Sequence, residues 1–160
     1  MQVNGVTTAS STKLAPVVTL VSSDANAKVT FTTASSTFTA LEVQADNGVL
    51  VNFDVTTTSG AIFFDGDDDN TAESGGTAHN KVGFTDGRTV TSETLLTLES
   101  TTGLSSLYIL PRGELTLSAK TGIVIHNIMT GEAQNKPLVM NADSDSNGSG
   151  TLTVFGGRLI

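Results

Sequence analysis

The chain has 160 residues and a net charge of −8, with 16 acidic against 8 basic side chains and no cysteine. No basic stripe is left to meet phosphates, which argues against nucleic acid and against docking on anionic lipid; the missing thiols exclude disulfides and cysteine-bound zinc. Charged residues make up only 15%, while threonine (26) and serine (16) abound, so the composition favours hydroxyl-dressed strands over ion-paired helices.

Short apolar or alternating runs follow one another between turn signals. The expected strands are Val17–Val21, Lys28–Thr33, Phe38–Gln44, Val49–Val55, Ala61–Asp65 and Lys81–Thr85. Then come Thr94–Glu99, Leu107–Leu110, Glu114–Ser118, Ile123–Asn127, Leu138–Asn141 and Thr151–Phe155. Asp46-Asn47-Gly48, Asp65-Gly66, Asp86-Gly87 and Asn147-Gly148 punctuate them with residues that tolerate positive φ. No run keeps a helical period, so at most a turn or two of helix is expected. Alternation assigns Val29, Phe31, Leu41, Val43, Leu96, Leu98, Leu115, Leu117, Ile123, Ile125, Leu152 and Val154 to a buried face.

The chain also resembles itself about every 55 residues, the mark of units that bury their apolar faces on their neighbours. Ser36–Val43 lines up with Thr91–Leu98, Asn52–Val55 with Leu107–Leu110, Gly60–Phe64 with Gly113–Leu117, and Ala78–Val82 with Ala133–Pro137. A partial earlier copy aligns Ala27–Thr32 with Asn80–Thr85. One domain over 1–160 is expected, with repeats at about 36–90 and 91–145, each spanning two coils of a β-solenoid. The alternative all-β architecture is a β-sandwich, which would show antiparallel hairpins.

Two acidic runs are the candidate metal sites. Asp65, Asp67 and Asp69 stand at alternate positions, and Asp143-Ser144-Asp145-Ser146-Asn147-Gly148 has the form of the first half of a calcium loop. Alternating oxygens on a tight turn converge on a hard cation such as Ca²⁺. Neither run has a glutamate at the twelfth position, where Gly76 and Val154 stand, and both also read as solvated turns. His79 and His126 are far apart, and no catalytic set is assigned. Asp65–Asp69 with Arg88 can be read as the site of a polysaccharide-active β-helix enzyme, a glycosidase carboxylate pair is left unconstrained, and the absence of Trp with a single Tyr leaves poor sugar platforms. Asn147-Gly148-Ser149 is a glycosylation sequon in a secreted eukaryotic chain.

Gly113-Glu114-Leu115-Thr116-Leu117, Gly122-Ile123-Val124-Ile125 and Pro137–Val154, with its Asp143-x-Asp145 and Gly150-Thr151-Leu152-Thr153-Val154, resemble the repeats of very large secreted, filamentous-haemagglutinin-like surface proteins. The resemblance is strongest over about residues 90–160. It implies a right-handed parallel β-helix serving as a stalk, filament or adhesin at the cell surface or outside the cell, with no catalytic residues to carry over. Met1–Gly5 opens no signal peptide, and no segment is apolar enough to span a membrane, so an exported form is expected to be a mature piece or a fragment. The partners expected are further copies of the chain or the continuation of a longer one. A cell-surface glycan or protein held by the loop face around Asp65–His79 is the alternative.

Overall fold

Alternating apolar and hydroxyl side chains make strands too short to stand alone, and they are stabilised only by stacking. The computed structural model describes residues 1–11, 13, 16–71, 80–100, 108–111, 113–129 and 135–155. The chain lays down β1 (Gln2–Val3), a single helical turn α1 (Thr8–Ser11) and β2 (Val18–Ser22). Strands then come in threes: β3 (Val29–Phe31), β4 (Ser36–Phe38) and β5 (Leu41–Ala45); β6 (Val49–Val51), β7 (Val55–Thr57) and β8 (Ile62–Asp65). The series continues with β9 (Val82–Phe84), β10 (Arg88–Ser92) and β11 (Leu95–Glu99), then β12 (Tyr108–Pro111), β13 (Leu115–Ala119) and β14 (Gly122–His126), and ends with β15 (Ile128–Met129), β16 (Leu138–Asn141) and β17 (Thr151–Val154).

From β2 onward every third strand joins the same sheet, and β1 joins β3. The first sheet runs β1-β3-β6-β9-β12-β15, the second β4-β7-β10-β13-β16, and the third β2-β5-β8-β11-β14-β17. All the pairings among the described strands are parallel, for example Leu41↔Ile62↔Leu96↔Ile123↔Leu152 across the third sheet. The antiparallel hairpins of a sandwich do not occur among the described strands.

The ladder sorts the sequence matches. Leu41 and Leu96 both flank Ile62, and Val29 and Val82 both flank Val49, so these members of the matched segments lie two ladder steps apart. Two other matches are not spatial equivalents. Ile62 belongs to the third sheet and Leu115 to the second, while Asn52–Asp54 form a bend and Tyr108–Leu110 a strand. Ala78, His79, Ala133 and Gln134 lie outside the described residues, as do Thr101–Leu107 and Gly156–Ile160.

Two expected strands are each split by a corner. Phe38–Gln44 breaks at Thr39-Ala40 into β4 and β5, and Val49–Val55 breaks at Asn52–Asp54 into β6 and β7. Apolar alternation runs through a corner almost undisturbed, because both flanking strands face the same interior.

The core is the inward row of each sheet. Val29, Phe31, Leu41, Val43, Leu96, Leu98, Leu115, Leu117, Ile123 and Ile125 are all buried. Phe31 packs edge-on against Phe38 at 6.4 Å between ring centres and tilted against Phe64 at 5.7 Å. Leu152, also expected inside, is 46% exposed, and Val154 is only partly buried. Among the described residues β17 is the outermost strand of its sheet, so its inward side chains have a described neighbour on one side only.

Candidate functional site: the acidic corner and its outward row

The first acidic run forms the corner that follows β8. Gly66 passes so close to the next turn of chain that a Cβ there would lie 2.4 Å from the Lys81 carbonyl carbon. Beneath it runs a stack of asparagines. Asn47 Nδ2 donates to Asn26 Oδ1 at 3.1 Å, and the Asn80 amide donates to Asn47 Oδ1 at 3.2 Å. Asn26 and Asn80 both hold positive φ, which asparagine tolerates by local side-chain bonding. This stack is the feature that sequence reasoning missed. Its signal is the recurrence of Asn47-x-Val49 and Asn80-x-Val82 before strands that are neighbours in one sheet.

The three aspartates of the corner part company. Asp65, at the end of β8, is buried and accepts the Asp67 amide at 3.0 Å. Asp67 is fully buried and accepts from Asn80 Nδ2 at 2.9 Å. Asp69 is exposed and accepts both the amide and the hydroxyl of Thr71, at 2.9 and 2.7 Å, which hold its carboxyl below the usual range. Their oxygens thus fasten the turn to itself and to the stack below. Among the described residues, no three His, Asp or Glu side chains gather in a metal-holding group.

The second run behaves alike. Asp143 Oδ2 accepts the Gly148 amide at 2.9 Å, Asp145 accepts the amide and side-chain nitrogen of Asn147, and Asn147 Oδ1 accepts the Ser149 amide at 2.8 Å. This turn sits on the corner between β16 and β17, where Gly150 approaches the Ala142 carbonyl too closely for any side chain.

Asp65 also belongs to an outward row of the third sheet. Gln44, Asp65, Glu99 and His126 are successive register partners on β5, β8, β11 and β14. Burial, and then the nearby charges of Glu99 and Asp68, push the Asp65 carboxyl up to about 6 against the backbone bond that lowers it. The row ends with the His126 ring stacked on Phe155 at 4.8 Å, and Phe155 is 52% exposed. Asp65 and Glu99 thus stand side by side, and Asp65 takes up its proton at a higher pH than a solvated carboxyl does. Arg88 lies elsewhere, over Phe53 and 3.8 Å from Asp54, so it does not join Asp65–Asp69. His79 lies outside the described residues.

No family model, curated protein or solved structure matches the chain.

Proposed function

We propose that the three sheets close into a right-handed parallel β-helix, and that the chain is a structural or adhesive segment of an extracellular or cell-surface β-solenoid. Its role in this reading is mechanical, as stalk, filament or adhesin, and not catalytic. The observation that supports it best is the all-parallel pairing of three sheets, each built from β2 onward of every third strand. A parallel crossover connection within one sheet is right-handed in nearly all proteins, which supports a right-handed coil. The outer row of the second sheet, Thr37, Thr56, Thr91, Ser118 and Asn141, supports a smooth hydroxyl and amide surface in place of a cleft.

A stalk segment is a rigid spacer. Nitroxide labels on cysteines replacing Thr37 and Asn141, four ladder steps apart, should give a narrow distance distribution centred near ~19 Å, from a strand spacing of about 4.8 Å. A broad distribution, or one far from that value, rejects the spacer.

A further inference from the structure

Resting on that solenoid reading, we infer that a second copy of this chain docks head-to-tail on the C-terminal end, its β2 pairing in parallel with β17 so that the third sheet continues from one molecule into the next.

Both strands are the outermost described strands of one sheet. Their side chains match position by position when Leu152–Phe155 is set beside Val18–Val21 of the second copy. Leu152 and Val154 face inward, as do Val18 and Leu20, which pair with the inward Leu41 and Val43. Thr153 meets Thr19 on the outer face. The next outward pair is Phe155 and Val21, 52% and 46% exposed, two apolar side chains left on the surface at opposite ends of the same row. An unpaired strand edge with exposed apolar side chains is a template for another strand.

Charge selects the polarity. Up to Ser35 the chain carries two lysines and one acidic residue; the remaining sequence has six basic and fifteen acidic residues. Exposed Lys13 lies in the corner between α1 and β2, and α1 packs against β4 of the second sheet. At the other end the same corner, from the second sheet to the third, carries Asp143 and Asp145. Head-to-tail stacking sets Lys13 over those carboxylates. A tail-to-tail pair brings two acidic ends together and leaves Val21 on the surface. A head-to-tail contact does not close, so the assembly grows as a fibre.

Two variants test this, each blocked at one end by lysines: Thr19→Lys with Val21→Lys, and Thr153→Lys with Phe155→Lys. By sedimentation, the wild-type mass should rise with concentration past two copies. Each blocked variant alone should stay monomeric, and an equimolar mixture should form a one-to-one dimer that grows no further. A blocked variant that dimerises alone, a mixture that stays monomeric, or a wild type that stays monomeric at millimolar concentration overturns the docking. Circular dichroism checks that both variants fold; if one does not, Val21→Lys and Phe155→Lys as single changes repeat the test. The Thr37/Asn141 label distance, taken in a blocked variant, separates the two readings. A narrow distance without association removes the docking alone, and a broad distance removes the spacer.

Discussion

The two ends of the stack share one construction and are finished differently. At the N-terminal end, residues before β2 run along the edge of the second sheet: the Val6 carbonyl accepts the Thr37 amide at 2.7 Å, Val6 packs on the core, and Ser11 is fully buried. The edge of β4 is therefore paired, though no strand lies there. At the C-terminal end, Leu138 and Leu152 remain 39% and 46% exposed. Their partners one ladder step back, Leu115 and Ile123, are buried. Identical alternation thus gives a dry core or a wet edge according to whether another layer covers it.

The sharpest way to break that comparison is to truncate one inward row at two depths. Ile123 lies between Leu96 and Leu152, fully buried, and Ile123→Ala should cost about 2–4 kcal/mol through lost transfer energy and the cavity left behind. Leu152→Ala, at the exposed end of the row, should cost under about 1 kcal/mol in dilute solution. Urea melts of the two variants measure both values. Equal losses mean that the end is covered as well as the middle.

The outward row gives a second contrast, in charge. In the middle of the stack Asp65 is desolvated beside Glu99, and its carboxyl is raised from 3.8 to about 6. The folded state therefore binds this proton more tightly than the unfolded chain. The sign follows: acidification from pH 7 towards pH 4 relieves the cost of the buried charge, and the cost is present in full above the folded value. Asp65→Asn keeps an oxygen for the Asp67 amide. It should stabilise the protein by about 1–2 kcal/mol at pH 7, after allowance for solvent screening, and the gain should vanish near pH 4. Melting curves of wild type and variant across that range decide it, and a gain independent of pH removes the desolvated carboxyl from the account.

All-β character and the inward row were legible in the sequence, because alternation with β-branched and aromatic residues has one physical reading. Corners were not: Phe38 and Leu41 read as one strand, since an apolar residue on either side of a two-residue bend faces the same interior. The strand β10 was missed, and β7 was reached only at its first residue, because Arg88–Ser92 and Val55–Thr57 offer a single inward apolar residue each. In the acidic corner, spacing alone put three aspartates at alternate positions. It could not reveal that Asp67 is buried on Asn80 while Asp69 is exposed and bonded to Thr71. That division comes from the asparagine stack beneath, which is built from residues far apart in sequence.

The smallest expected effect concerns the lined edge of β4. Ser36, the buried first residue of β4, accepts the Val6 amide on its Oγ at 3.2 Å, while the neighbouring Thr37 amide reaches the Val6 carbonyl. Both bonds hold the N-terminal segment along an edge that would otherwise be open. Ser36→Ala leaves one partly buried amide without its acceptor and should cost about 0.5–1.5 kcal/mol. The loss should be local: hydrogen exchange at Val6 and Thr37 should quicken several-fold while the amides of β11 and β14 keep their protection, because the layers between them are intact. If exchange instead rises evenly through the stack, the N-terminal segment is part of one cooperative unit and not a separable cover, and the contrast between the two ends lies in cooperativity as well as in burial.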